Sequence, residues 1–362
     1  MRPTLALVGA HGRFAEAVVA GIALRPDRWG EVRLLSPRMS TRSLPVRGRE
    51  RAIEVIGPDS FDGVDVALFN LPADGTRELA ARAVRAGATV VDASAAHRAD
   101  EHVPLVAPGI NTAAAAHRPK GVVALPGPLT WALLDVAHVL HHGWELQQLV
   151  VTGFIAADSR SDGGIERLRD EIRLVADLPR VGLGSGDVRA AVSDLPEQTA
   201  FPAPLALNVV PWVGRPAEGG WTTAEQGLAD EICKVLGVPD LVVAPTLVQV
   251  PVVSGHSMAV HARCARPVDV ARIRHAVLTA PALVALDDGG DEMPTPVDAV
   301  GADPRFVGRI RQPSGQRHLV ELFLSADTIR RGAEAMLEVA DLVGPPAGPS
   351  AAAPVANHDP TR

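Results

Sequence analysis

The chain of 362 residues contains no tyrosine, only 3% aromatic residues and just two cysteines. Cys233 lies in a helical pattern and Cys264 in a strand-like one, with no metal-ligand spacing around either. Both read as small buried hydrophobes in a reducing compartment, and no metal site is expected. No run of 18 apolar residues occurs, so no membrane span is expected. The apolar opening Leu5 to Val8 is also too short for the core of a signal peptide, which points to a cytoplasmic protein. Basic residues are in the minority, 35 Lys and Arg against 42 Asp and Glu, for a net charge of −7. That excess argues against nucleic acid or an anionic membrane as the main partner.

What is present is ordinary for a globular protein: 47% hydrophobic and 21% charged residues. The 33 glycines and 31 prolines are spread along the chain and read as turns. Single cores stop growing near roughly 250 to 300 residues, so two domains are expected.

The first strand, Thr4 to Val8, runs into Gly9-Ala10-His11-Gly12-Arg13-Phe14-Ala15 and then a helical pattern over Glu16 to Ala23. A Gly-x-x-Gly-x-x-Ala turn between strand and helix is where a dinucleotide pyrophosphate meets exposed backbone N–H groups. Gly9, His11, Gly12, Arg13 and Phe14 are therefore candidate cofactor-binding residues. The second strand, Glu31 to Leu35, delivers Ser36-Pro37-Arg38 where a ribose-binding residue belongs. An acidic residue there would hold an unmodified 2′-hydroxyl, whereas Ser36 and Arg38 suit a 2′-phosphate, so NADP fits better than NAD. Further strands at Val64 to Phe69, Thr89 to Asp92 and Val122 to Leu125, with a helix at Thr76 to Ala86, predict a Rossmann-like, doubly wound parallel sheet over residues 1–127.

The remainder predicts an α+β domain over 128–326 with a mostly antiparallel sheet. Its strands are Leu146 to Ala156, Leu205 to Val210, Thr246 to Val253, Ser257 to Cys264 and Leu319 to Leu324. Helices are expected near Leu133 to His142, Gly164 to Ala176, Ala224 to Leu236 and Val268 to Leu278. The half-polar face of such a sheet must be covered, and a homodimer would cover it. A last helix at 327–343 should pack back on the first domain, and the Pro/Ala-rich stretch 344–362 reads as a disordered tail.

Between the halves lies Val122 to Leu134, a buried strand, the turn Pro126-Gly127-Pro128 and an apolar helix start. A strand-to-helix turn is a favoured seat for a nucleophile, because the helix N-terminus stabilises developing negative charge. This one offers no Ser, Cys, Lys or carboxylate, and the nearest hydroxyl, Thr130, suits a capping role.

Motifs in collinear order from residue 4 to about 343 resemble the aspartate-semialdehyde dehydrogenase family. They are Val8-Gly9-Ala10-His11-Gly12, Val90-Val91-Asp92-Ala93-Ser94 with Arg98, Pro104 to Pro108 before Asn111, Ala206 to Pro211, Lys234-Val235-Leu236-Gly237, Pro251 to Ser257, Val307 to Arg311 and Ser325 to Ala333. The resemblance implies a dimer and an NADPH-linked reductive dephosphorylation, in which a Cys attacks an acyl phosphate, a His relays the proton and an Arg clamps the substrate carboxylate. The covalent thioester needs a thiolate. By that resemblance Pro128 stands at the Cys position and Gly127 at the Asn beside it; proline has neither nucleophile nor N–H. Gln249 stands where the substrate Arg would be, seven residues before His256, and Ala224 and Gly227 stand at a Glu-x-x-Lys pair. Ile155 takes the place of a Gln. His256 at the acid/base position and Arg98 at the phosphate-binding position are retained.

The likeness is nearest to the Usg-type paralogues, which lack the Cys; Val248-Gln249-Val250-Pro251-Val252 and Ala124-Leu125-Pro126 are similar to that group's versions. A non-catalytic dimer that binds NADP or a protein partner is expected. The alternatives are an NADP-dependent oxidoreductase of amino-acid biosynthesis that uses the pocket without a thioester, and a true dehydrogenase that recruits Cys233 or Cys264.

Overall fold

The computed structural model describes residues 2–176, 184–193, 200–287 and 292–346. The expected disordered tail falls mostly on residues 347–362, outside the described residues.

The N-terminal part alternates as its sequence predicts. Strand β1 (Leu5–Val8) leads to α1 (Gly12–Ala23), β2 (Val32–Ser36), a hairpin of β3 (Ser43–Val46) and β4 (Arg49–Ala52), the short β5 (Glu54–Val55), β6 (Val66–Phe69), α2 (Ala73–Arg85), β7 (Thr89–Asp92) and β8 (Val122–Ala124). All but the hairpin strands form one parallel sheet in the order β5-β2-β1-β6-β7-β8. Every residue of β1 and β6 is buried, as continuous apolar strands covered on both faces must be.

The chain continues through α3 (Pro128–Trp144), β9 (Leu146–Ile155), α4 (Ser161–Ala176), α5 (Asp187–Val192), α6 (Thr223–Leu236), β10 (Val242–Gln249), β11 (His256–Cys264), α7 (Val270–Thr279), β12 (Leu283–Ala285), α8 (Pro296–Ala299), β13 (Arg305–Arg311), β14 (Leu319–Ala326) and α9 (Thr328–Val343). The second sheet has the order β10-β9-β11-β14-β13-β12 and is mixed: its two outer pairs are parallel and the central pairs antiparallel. Side chains alternate cleanly. Leu149, Val151, Met258, Val260, Leu322 and Leu324 are buried on the inner face under α3, whereas Val150 on the other face is 42% exposed. The Phe154 and Phe323 rings meet on that outer face with centroids 6.0 Å apart.

Helix α9 packs against α1. Gly21 makes the close approach possible, since a Cβ there would lie 2.4 Å from Leu337 Cδ1, and Arg25 pairs with Glu334 and Asp341 while Arg28 pairs with Asp341.

Two expectations are corrected. Leu205 to Val210 is not a strand: the N–H groups of Leu205 and Ala206 donate to the buried Glu171 carboxylate, Leu207 has φ 54°, and only Val210 bridges to Gln249. A side chain has taken the donors that a ladder would need. The strand expected over Thr246 to Val253 begins earlier and stops at Gln249, because Val252 N–H turns back to the Val250 carbonyl. Pro245 is tolerated in it because β10 is an edge strand. Among the described residues no helix is long and apolar enough to cross a membrane.

Candidate functional site

Helix α3 begins at Pro128, the last residue of the expected turn, with proline at the first helical position, where its missing N–H costs nothing. Its N-terminus is occupied by the chain itself. Glu231, on the buried face of α6, accepts from the Gly127 N–H at 2.6 Å and from Thr130 Oγ1 at 2.5 Å, and its other oxygen pairs with Arg98 Nη1 at 3.3 Å. A carboxylate here is favoured by the helix dipole. Arg98 also donates from Nε to the Leu125 carbonyl and from Nη2 to the Ala93 carbonyl. Gly127 is integral to this arrangement, because a Cβ there would lie 2.6 Å from Arg98 Nη1 and 3.2 Å from Glu231 Oε2.

Lys234, one turn further along α6, donates to the carbonyls of Arg98, Asp100 and Val103 and fixes the loop that carries Arg98. Burial pulls its pKa below the ordinary lysine value. Arg98, Pro128, Ala224, Gly227 and Lys234 line one cleft of about 630 Å3. The structure thus assembles six of the positions singled out in the sequence, Arg98, Gly127, Pro128, Thr130, Ala224 and Gly227, around a single cavity.

His256 and Gln249 gather at another set of groups. Gln249 is fully buried, and its Nε2 donates to the carbonyls of Ile155 and Ala156 and to Ser159 Oγ. His256, 4% exposed at the start of β11, accepts the Ala156 N–H on Nδ1 at 3.3 Å and lies 3.9 Å from Asp158 Oδ1. Burial lowers the His256 pKa, against the opposing pull of Asp158 and Asp327, so the imidazole is neutral.

The unfolded chain therefore binds a proton at residue 256 before the folded one does, and stability falls as pH drops through about 6.5. Urea midpoints measured at about pH 7.5 and about pH 5.5 should differ less in His256→Gln than in the unaltered protein. An unchanged difference would show that the imidazole is not the group responsible.

In the first sheet, Gly9 and Gly12 have φ of 86° and 77°, and a Cβ on Gly9 would lie 2.1 Å from the Asn70 carbonyl. Helix α1 starts with no side-chain cap and no acidic residue in its first turn, which suits an anion at its N–H groups. His11 Nε2 bonds Ser36 Oγ at 3.1 Å, and the same hydroxyl accepts the Arg38 N–H. The Arg38 side chain is exposed. Arg13 reaches away from this loop to Asp158 at 3.5 Å and to Ser254 Oγ at 3.4 Å, and Phe14 packs against Gly332 of α9.

Neither thiol lies on the turn: Cys233 is on α6 and Cys264 on β11. Cys264 is eight residues from His256 along the same strand, roughly 26 Å at about 3.3 Å per residue, and burial raises its pKa to about 11. Cys233 is half-buried rather than fully buried as expected; its Sγ donates to the Leu241 carbonyl, and burial raises its pKa too. Sequence reading passed over Glu231 and Asp158. Glu231 could have been flagged as a charge three residues from Leu228 on the apolar stripe of α6, a position that demands a partner.

The semialdehyde dehydrogenase NAD binding domain matches residues 4–118, and the semialdehyde dehydrogenase dimerisation domain matches residues 141–331. An aspartate-semialdehyde dehydrogenase of Mycolicibacterium smegmatis is 34% identical over 348 residues, which cover 94% of this chain and 98% of that protein. One of Streptomyces akiyoshiensis is 34% identical over 341 residues, 93% of this chain and 97% of that protein. The crystal structure of aspartate semialdehyde dehydrogenase II from Vibrio cholerae superposes with a TM-score of 0.85 at 25% identity, covering 95% of this chain and 98% of that one.

Proposed function

This chain belongs to the semialdehyde dehydrogenase family, and from that premise we propose that it is a dimeric, NADP-binding homologue of the Usg type that does not run the thioester reaction. The observation that carries the reading is the start of α3, where the nucleophile position is Pro128 and the surrounding donors, Gly127 N–H and Thr130 Oγ1, are already given to Glu231. Covalent acyl transfer needs an activated nucleophile beside free oxyanion donors; this turn supplies neither. Gln249 is spent on backbone carbonyls and presents no charge to a carboxylate. The decisive experiment is phosphate-dependent NADP reduction with aspartate semialdehyde, run beside calorimetric titration with NADP. Binding without turnover supports the proposal, and robust turnover overturns it in favour of an active oxidoreductase of amino-acid biosynthesis.

The cofactor fits the residues present. Gly9 and Gly12 let the backbone approach a pyrophosphate, with the first turn of α1, including the N–H groups of Arg13 and Phe14, uncapped. His11 and Ser36 shape the ribose side, and Arg38, two residues past the end of β2, faces solvent. When bound, NADP supplies a hydride acceptor. Arg38→Ala should weaken NADP binding by roughly 1.5 to 3 kcal/mol, the scale of a hydrogen bond to a charged group, and leave NAD nearly unchanged. An equal loss for both nucleotides would remove Arg38 from the site.

The outer face of the second sheet, with Val150, Phe154, Ala259 and Phe323, is the surface a second copy would cover. A homodimer is the expected solution state. Phe323→Arg places a charge in the middle of that face and should reduce the sedimentation mass to that of one 37.9 kDa chain. A variant that still sediments as a dimer would move the interface elsewhere.

A further inference from the structure

The hairpin of β3 and β4 brings Arg47, Arg49 and Arg51 to one recess of about 330 Å3, completed by Gly30, Val32 and Val46, and no carboxylate among the described residues lines it. Arg49 and Arg51 pair across the hairpin with Val46 and Leu44, so all four share the face that Leu44 and Val46 bury against the first domain. Positions on that face suit apolar side chains, and two of them are arginine. Glu50, between them, lies on the opposite face and accepts from Ser43 Oγ. The turn adds a third charge. Arg47 and Gly48 join the strands with φ of 51° and 73°, a two-residue turn that favours Asn-Gly or Gly-Gly because both residues need positive φ. An arginine in that conformation is uncommon, and strain observed at such a position points to function. Its Nη1 and Nη2 donate to the carbonyls of Gly30 and Trp29, at 3.3 and 2.7 Å, which fixes the guanidinium beside the recess. Burial and the neighbouring Arg2 push its pKa below the ordinary arginine value, against a smaller pull from Asp27. The carboxylates that feel these charges are already engaged, Asp27 with Arg2 at 2.6 Å and Glu31 with Arg33 through bonds of 3.0 and 3.3 Å. Among the described residues neither Arg49 nor Arg51 forms an ion pair.

We infer that this recess is a binding site for a small molecule carrying a diphosphate group, its oxygens received by the guanidinium forks of Arg49 and Arg51 and its charge balanced by all three arginines. Charge decides between one phosphate group and two. A single phosphate group brings about −1.5 to −2 at neutral pH, less than the three positive charges around the recess, and a second linked group closes the difference. The site stands at Gly30 and Val32, where β2 begins, whereas Ser36 and Arg38 follow from its other end. It is therefore separate from the crevice at the carboxyl ends of the strands, and it does not rest on the reading of the α3 N-terminus.

Inorganic pyrophosphate is the probe, with inorganic phosphate as comparator, each titrated calorimetrically into the full chain with and without excess NADP. Pyrophosphate should retain one site per chain in excess NADP, and phosphate should bind that site about tenfold more weakly, as loss of a charge-assisted contact dictates. Arg49→Ser and Arg51→Ser should each weaken pyrophosphate about tenfold. Arg42→Ser removes the same charge from the hairpin outside the recess, where Arg42 pairs with Glu16, and should change binding less than about twofold because exposed charges at a distance are screened. Circular dichroism melts would show that the variants fold. In the unaltered chain, pyrophosphate should slow phenylglyoxal modification of Arg49 and Arg51, read by peptide mass, and leave that of Arg42 unchanged. No pyrophosphate binding in excess NADP, phosphate binding as tight as pyrophosphate, equal losses in Arg42→Ser and Arg49→Ser, or unprotected Arg49 and Arg51 would each overturn the assignment.

Discussion

Replacing Glu231 by alanine is expected to cost about 3 to 5 kcal/mol of unfolding free energy, the scale of breaking a buried ion pair from one side. The Arg98 and Glu231 side chains are 14% and 9% exposed, so solvent replaces only part of the lost contact. The alanine would also strand the Gly127 N–H and the Thr130 hydroxyl at the start of α3, each costly when buried and unpaired. Since folded domains have only about 5 to 15 kcal/mol in hand, urea denaturation should show a large fall in midpoint. Removing both partners together, as Arg98→Met with Glu231→Leu, should cost less than the sum of the single changes, because no uncompensated charge remains. A loss below about 1 kcal/mol for Glu231→Ala would match an exposed pair, and the closure of the α3 N-terminus by Glu231 would then be energetically empty.

The part of the fold legible in the sequence was the part governed by periodicity. Short apolar runs bounded by turns, such as Leu5–Val8 and Val66–Phe69, are the pattern of strands covered on both faces, and Ala333, Met336 and Ala340, at helical spacing, lie on the buried face of α9. Leu205 to Val210 was misread because its pattern is apolar enough for a strand, while the group that forbids one, Glu171, is more than thirty residues away in sequence. The candidate site divides in the same way. Glycines in a strand-to-helix turn carry local conformational meaning, and Gly9 and Gly12 do adopt positive φ. The partnership of Arg98 with Glu231, or of Arg13 with Asp158, depends on side chains brought together by packing between distant segments, and no local pattern encodes it.

Restoring the thiol alone should not give an enzyme: Pro128→Cys is expected to show no phosphate-dependent NADP reduction with aspartate semialdehyde above background. The substitution itself should be tolerated, since position 128 is the first helical residue and exposed. A thiol at a helix N-terminus is ordinarily acidified by the dipole and open N–H groups. Here Glu231 has already taken the Gly127 N–H and the Thr130 hydroxyl, and its negative charge opposes a second anion beside it. The variant should therefore react with iodoacetamide no faster than an ordinary thiol. Substrate positioning fails independently. Gln249 is fully buried with its amide on Ile155 and Ala156, so no guanidinium meets the carboxylate; loss of such a charged contact is worth on the order of 2 to 5 kcal/mol, about thirty- to several-thousandfold in rate if it is felt in the transition state. Gly227 lines the cleft, and a Cβ there would meet only Glu231 Oε1, at 3.7 Å, so a lysine can be accommodated. Gly127 has no such room, because any side chain displaces Arg98. Activity should first emerge when Gln249→Arg and Gly227→Lys are added to Pro128→Cys, the lysine also drawing Glu231 away from the helix start. Robust turnover by the single variant would mean that the thiol was the sole deficit and that Glu231 and Gln249 do not obstruct the site.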